Sequence, residues 1–120
     1  MTQQRGEEEV RATLEKVWLE SRPQALERVA TLERLAEAIR LGAPDQESRE
    51  IALAAAHRLS GALGVFGFGE ASCCAAEIES LLAGGLPPDG ATFAQLVARL
   101  RTLLEEAGAQ NTAQMEKRNT

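Results

Sequence analysis

Apolar residues recur at every third or fourth position along almost the whole chain, and glycine or proline interrupts them at only a few places. This spacing places apolar side chains on one face of an α-helix, whereas a half-buried strand needs strict alternation. Good helix formers dominate the composition, and aromatic residues are rare. The pattern therefore predicts an all-α fold, and the 120 residues are enough for one domain with one core.

Glycine and proline divide the chain into five predicted helices, at about residues 7–21, 23–41, 45–66, 70–82 and 91–107. The break between the first two depends on Pro23, which also fits a bend in a longer helix. Gly67 and Gly69 are predicted to end the third helix and turn the chain, and GGLPPDG at residues 84–90 is a loop. Because short loops favour antiparallel neighbours, we predict an antiparallel up-down four-helix bundle with an additional N-terminal helix.

The ends of the predicted helices set the domain boundary. The first helix is expected to pack through Val10, Leu14, Val17 and Trp18. Asp45 is a suitable N-cap for the third helix, with a cap at Gln46 or later as the alternative. Gly108 is predicted to stop the last helix. We therefore expect a domain at residues 1–108, followed by a polar tail or linker at residues 109–120.

The third helix contains His57, the only histidine of the chain. Its predicted core stripe consists of Ala52, Ala55, Ala56, Leu59, Leu63 and Phe66. His57 lies about 150° from the middle of that stripe and should point outward. Gly61 and Gly64 share its side, although each glycine costs about 1 kcal/mol relative to alanine in a helix. Close access to His57 explains these glycines, and close helix packing is the alternative explanation.

The stretch around His57 resembles the histidine-containing phosphotransfer (HPt) domain. In that family an exposed helical histidine is followed by leucine two positions on, often a basic residue three on, and glycine four and ten on. Here these positions hold His57, Leu59, Ser60, Gly61 and Gly67, so Ser60 departs from the pattern. The tract RLSGALGVFGFGEAS and the helix order also fit the family, so the resemblance covers most of the chain.

The resemblance implies a phosphoryl carrier in a two-component phosphorelay rather than an enzyme, with His57 as the accepting residue. Its partners would be a receiver domain, which supplies an aspartate, a magnesium ion and a lysine, and possibly a histidine kinase. Four residues would surround the path by which the phosphoryl group and the partner reach His57, namely Arg58, Ser60, Gly61 and Gly64. In many members a basic residue at the position of Ser60 helps to hold the phosphoryl group. Arg58 is a candidate substitute, although it lies about 100° around the helix.

Leu53 lies on the same side of the third helix as His57, and so does Phe68 if the helix runs that far. Both are predicted to contact the partner through apolar surface. Core packing is an equally good interpretation of Phe68, because the helix ends close to it. A transient partner fits such a small apolar contact area. We expect the chain itself to be a monomer without a cofactor.

Charge and composition exclude several other classes. The net charge of -5 argues against a nucleic-acid surface, which needs clustered lysine and arginine. No apolar run reaches about 18 residues, the length that predicts a membrane span. The N-terminus has no signal-peptide pattern, so we expect a cytoplasmic location. Cys73 and Cys74 are neighbours on a helix, so we predict one buried and one partly exposed thiol rather than a disulfide or a metal site.

Three alternatives to phosphotransfer stay open at this point. A single helical histidine is often a surface or core residue without chemistry. The chain could also be a helical interaction module that has lost phosphotransfer, and Ser60 supports that interpretation. A haem or metal bundle would need a second strong ligand, and the two methionines, Met1 and Met115, lie near the ends of the chain.

Overall fold

The computed structural model describes the backbone of residues 2–85 and 90–118 and the side chains of residues 6–85 and 90–107. These residues form four α-helices and no strand, namely α1 (Thr2–Arg40), α2 (Gln46–Val65), α3 (Gly69–Ala83) and α4 (Gly90–Arg118). The prediction of an all-α fold is confirmed. Most of the predicted loop at residues 84–90 lies outside the described residues.

The first two predicted helices are one continuous helix, α1, with Pro23 inside it. The prediction of a separate additional N-terminal helix is therefore wrong. Proline has no N–H, so the Leu19 carbonyl group loses its helical hydrogen-bond donor at Pro23. Both residues lie on the exposed side of α1, where water can replace that donor. Trp18 and Ala25, on either side of the proline, are both buried in one core. Their common packing favours a continuous helix.

The N-terminal part of α1 extends beyond the end of α2. A helix of 39 residues is about 58 Å long, which matches the longest dimension of the molecule, 57 Å. Trp18 contacts Phe66 at the end of α2, so the residues before Trp18 pass beyond α2. Val10 is 60% exposed and Val17 is 40% exposed. Of the four residues predicted to pack in this segment, only Trp18 is buried.

The ends of α2 and α3 follow from local hydrogen bonds and glycine geometry. The Asp45 carboxylate accepts a hydrogen bond from the Ser48 N–H at 2.6 Å, which confirms the predicted N-cap and lowers the pKa of the Asp45 carboxyl. The helix ends at Val65, and Gly67 makes the turn with a φ of +81°. Gly69 begins α3 rather than completing the turn, in contrast to the prediction.

The four helices form a ring in which each contacts two neighbours. α1 and α3 each pack against α2 and α4, and within the described residues the backbones of opposite helices stay farther apart. Arg49 near the start of α2 donates a hydrogen bond to the carbonyl group of Leu82 near the end of α3. Trp18 in α1 meets Phe66 beside the far end of α2. The first contact joins opposite ends of α2 and α3, and the second places the N-terminal half of α1 beside the C-terminal end of α2. The antiparallel up-down four-helix bundle is confirmed.

The core runs along the centre of this ring. Its largest fully buried side chains are Trp18, Val29, Leu32, Leu35, Leu59, Leu63, Ile78, Leu82, Phe93, Val97, Leu100 and Leu104. The predicted stripe of α2 is confirmed, because its alanines and leucines are buried and Phe66 packs against the core. At one end of the bundle the ring of Trp18 lies 5.4 Å from that of Phe66 and 4.9 Å from that of Phe68.

The last helix is longer than predicted. The backbone of α4 stays helical through Gly108 as far as Arg118, so the predicted stop at Gly108 is wrong. A single glycine costs a helix only about 1 kcal/mol relative to alanine, which does not by itself end it. The interpretation of residues 109–120 as a tail or linker outside the domain stays a prediction. None of the helices in the described part of the chain is both long and apolar enough to cross a membrane.

Candidate functional site

His57 lies in the middle of α2, on the side opposite the core. Ala56 and Leu59 on the same helix are fully buried, whereas the His57 side chain is 75% exposed. The predicted outward orientation is therefore confirmed. This exposure gives a partner direct access to the imidazole ring.

The carboxylate of Glu79 in α3 forms a hydrogen bond with the Nδ1 atom of the His57 ring. The distances from His57 Nδ1 to the two carboxylate oxygens of Glu79 are 3.0 and 3.2 Å. Glu79 is positioned by Ile78 and Leu82, which are buried in the core beside α2, and its own side chain is 31% exposed. A carboxylate only accepts hydrogen bonds, so Nδ1 must carry the proton in this contact. In a neutral ring Nε2 then keeps a free lone pair.

Glu79 was not among the residues singled out from the sequence. It lies far from His57 along the chain, and an antiparallel pairing of α2 with α3 does not by itself fix which residues lie side by side. A signal is present nevertheless, because Ala75, Ile78 and Leu82 mark the buried side of α3 and place Glu79 at its edge. Only the register between α2 and α3 shows that Glu79 lies beside His57.

The glycines beside His57 leave open space. A Cβ atom added at Gly61 would meet nothing within 4 Å, and one at Gly64 would lie 3.4 Å from Ser72 Oγ, an ordinary contact. Both glycines are exposed. Close helix packing therefore does not explain the glycine at position 61. At position 64 the neighbouring Ser72 leaves room for a Cβ atom, so packing does not require glycine there either. The access explanation remains for both positions.

Ser60 and Arg58 lie on different sides of His57. Ser60 is partly buried, and its carbonyl group accepts a hydrogen bond of 2.8 Å from the Ser72 hydroxyl of α3. Arg58 is exposed and forms no hydrogen bond or ion pair with any other residue that the structure describes. It is therefore available to an anion that approaches this part of α2.

Leu53 and Phe68 are less available than the sequence suggested. Both are partly buried and pack against the core. Because α2 ends at Val65, the helix does not run as far as Phe68, and Phe68 is not on the helix face of His57. Its ring instead packs edge-on against Trp18. The role of either residue in partner binding stays a prediction.

The described residues contain no group of three or more histidine, cysteine or acidic side chains that could hold a metal ion. The two cysteines are free, Cys73 exposed and Cys74 buried, as predicted. Cys74 donates a hydrogen bond to the Leu96 carbonyl group, and burial raises the pKa of its thiol. Neither cysteine is part of the His57 site.

The geometry and the comparisons with known proteins agree. A family model for the Hpt domain matches residues 8–110, a range that includes α2, α3 and both partners of the His57–Glu79 hydrogen bond. No curated protein and no solved structure matches the chain significantly. The family match covers most of the sequence, and Hpt domains act as phosphoryl carriers on histidine. The chain therefore belongs to the Hpt domain family.

Proposed function

We propose that His57 carries a phosphoryl group in a two-component phosphorelay. It would receive the group from the aspartate of a receiver domain, or from a histidine kinase, and pass it to another receiver. The observation that supports this most strongly is the His57–Glu79 contact, in which the carboxylate binds Nδ1 of a ring that is 75% exposed. That arrangement leaves Nε2 as the reactive nitrogen.

The transfer step follows from this geometry. The lone pair of His57 Nε2 attacks the phosphorus atom of an aspartyl phosphate, and an N–P bond forms as the P–O bond to the aspartate breaks. The leaving carboxylate takes the electron pair, and the positive charge on the ring is shared with Nδ1–H. Glu79 accepts the hydrogen bond of that N–H and stabilises the charge as it develops. The reverse step returns the phosphoryl group to an aspartate.

The residues around His57 contribute access and charge. Gly61 and Gly64 allow the partner to bring its aspartate to within about 3 Å of the ring, the distance that direct transfer needs. Ser60 cannot neutralise the phosphoryl group, so we assign that role to Arg58, which is exposed and unpaired within the described residues. A long arginine side chain can pair with phosphate oxygens from a neighbouring helix position.

The remaining chemistry belongs to the partner. Phosphoryl transfer depends mainly on positioning and on neutralising charge, and the resemblance assigns the magnesium ion and the lysine to the receiver. We therefore propose that this chain is a carrier rather than an enzyme, acts as a monomer and has no resident cofactor. Its contribution is an oriented nucleophile that a partner can reach.

One specific observation favours a second function. Position 60 holds serine where many relatives have a basic residue, so the chain could be a helical interaction module that no longer accepts phosphate. In that case His57 and Glu79 would form a surface hydrogen bond without chemistry. The two functions differ in a single readout, which is whether His57 becomes phosphorylated.

The test uses radiolabelled receivers from the genome that encodes this chain, phosphorylated with acetyl phosphate in the presence of magnesium. Each is mixed with the wild-type chain or with His57→Gln. Acid-labile, base-stable label on the wild type alone supports the carrier function. If every receiver fails to label the wild type while one of them binds it, the interaction-module function is supported instead.

A further inference from the structure

The hydroxyl group of Ser72 in α3 joins that helix to the backbone of α2. It donates a hydrogen bond of 2.8 Å to the carbonyl oxygen of Ser60, which is three residues from His57. A carbonyl oxygen has two lone pairs, so the Ser60 carbonyl can accept this bond as well as one within its own helix. Ser72 is partly buried, which limits competition from water. The bond is therefore a fixed point between the two helices.

Ser72 and Glu79 lie on the same edge of α3. They are seven residues apart, and seven residues turn a helix by about 20° less than two full turns. Each forms a hydrogen bond with α2, Ser72 with Ser60 and Glu79 with His57. A displacement of α3 along α2 that broke one of these hydrogen bonds would therefore also strain the other.

Apolar packing between α2 and α3 fixes their distance more firmly than their register. The buried residues of the two helices include several alanines, namely Ala52, Ala55, Ala56, Ala71 and Ala75. Alanine lets two helices approach closely, but its single methyl group forms only a shallow ridge for interlocking. A hydrogen bond to Nδ1 needs an oxygen within about 3.2 Å, so a small slide would break the His57–Glu79 contact. A directional hydrogen bond such as that of Ser72 resists this slide.

A second side-chain hydrogen bond joins the same two helices nearer their other end. Arg49 donates it to the carbonyl group of Leu82, one of the last carbonyl groups of α3, which have no donor within the helix. Arg49 is eight residues from His57, a rise of about 12 Å along α2. Ser60 is only three residues from His57, a rise of about 4.5 Å. Ser72 therefore acts more directly than Arg49 on the position of Glu79.

We infer that Ser72 is a positioning residue for phosphoryl transfer, because it holds α3 in the register that brings Glu79 to Nδ1 of His57. This inference rests on the proposed function, since it takes His57 as the phosphoryl acceptor. Ser72 acts through Glu79, which keeps the proton on Nδ1 and leaves Nε2 free to attack. Without the Ser72 hydroxyl, Glu79 moves away from the ring and the proton distributes between the two nitrogens.

The first test uses the free protein and needs no partner. Nuclear magnetic resonance of protein labelled with ¹⁵N in the histidine ring gives the fraction of His57 that carries its proton on Nδ1, at about pH 9, where an imidazole ring is ordinarily neutral. Ser72→Ala should lower this fraction toward the value in Glu79→Ala. Ser80→Ala is the matched control and should keep the wild-type fraction. Ser80 is an exposed serine of the same helix, without a hydrogen bond to another helix in the described part of the chain.

Arg49→Ala separates positioning from a general loosening of the bundle. It removes the other side-chain hydrogen bond between α2 and α3, so it should lower the Tm but shift the Nδ1 proton fraction less than Ser72→Ala does. Three results would overturn the inference: an unchanged fraction in Ser72→Ala, an equal shift in Ser80→Ala, or a shift in Arg49→Ala as large as that in Ser72→Ala.

The transfer rate is an independent readout, measured in a single turnover with the receiver that labels the wild-type chain best. Ser72→Ala should slow transfer by no more than about fivefold, the limit for an exposed contact such as His57–Glu79. In the Glu79→Ala background the same substitution should cause no further slowing, because Ser72 acts through Glu79. Further slowing in that background would contradict the inference. Failure of the proposed function is distinct, because the wild-type chain would then accept no label while its Nδ1 proton fraction still responded to Ser72→Ala.

Discussion

Replacing Glu79 with alanine should slow phosphoryl transfer to His57 without weakening the fold. The carboxylate holds Nδ1 at 3.0 Å and fixes both the ring orientation and the position of the proton. Its removal frees the exposed ring to rotate and lets the proton move to Nε2, the nitrogen that has to attack. The positive charge formed on the ring during attack also loses its nearest acceptor.

The size of the effect follows from exposure. The two side chains are 75% and 31% exposed, so water screens their interaction, and pairs of this kind are worth about 0.2–1 kcal/mol. If the transition state loses all of this interaction energy, the transfer rate falls by a factor between about 1.4 and 5. Glu79→Gln keeps an acceptor oxygen and should show a smaller loss. Because the contact is at the surface, the free energy of unfolding should change by no more than about 1 kcal/mol.

Single-turnover transfer from a phosphorylated receiver, followed by rapid quench, measures this rate directly. Glu77→Ala is the matched control, since Glu77 is an exposed acid on the same helix and its loss changes the net charge equally. An unchanged rate in Glu79→Ala, or an equal slowing in Glu77→Ala, would refute the positioning role. A loss of a hundredfold or more would also refute it, because a screened hydrogen bond cannot account for that.

Three further predictions concern acceptance, access and the helix cap. His57→Gln should abolish phosphoryl acceptance and leave the Tm within a few degrees of wild type, because the side chain is exposed; a large fall in Tm would contradict its surface position. Gly61→Leu should slow transfer while raising the Tm, because leucine is the better helix former and the structure leaves room for its Cβ; transfer at the wild-type rate would remove the access explanation. Asp45→Ala should lower the Tm at pH 7. The Ser48 N–H lowers the pKa of Asp45, so its contribution is present above the ordinary carboxyl pKa and is lost progressively as the pH falls below about 4; a Tm difference that does not shrink as the pH is lowered would contradict this.

The sequence was sufficient to predict the bundle and the outward histidine. Periodicity placed Leu59 and Leu63 in the core and His57 outside it, because the helical repeat is fixed by backbone geometry and the core is apolar. Asp45 was identified as a cap, and Gly67 as a turn, because each residue type has a strong local preference at such positions. These features depend on neighbours in the sequence.

The features that could not be predicted depend on packing between distant segments. Pro23 normally ends or bends a helix, but Trp18 and Ala25 pack into one core across it, and α1 stays continuous. Glu79 reaches His57 only because of the register between α2 and α3, which no local pattern specifies. In the same way, the end of α2 at Val65 places Phe68 against Trp18 rather than beside the histidine.

The central claim is that Nε2 of His57 is the phosphoryl acceptor because Glu79 holds Nδ1. Nuclear magnetic resonance on chain labelled with ¹⁵N in the histidine ring, before and after phosphorylation by a receiver, tests it most directly, since the two ring nitrogens give separate signals. We predict a proton on Nδ1 in the free protein and phosphorus coupling to Nε2 in the phosphorylated one. Phosphorus coupling to Nδ1, or phosphate on another residue with the His57 ring unchanged, would contradict the account.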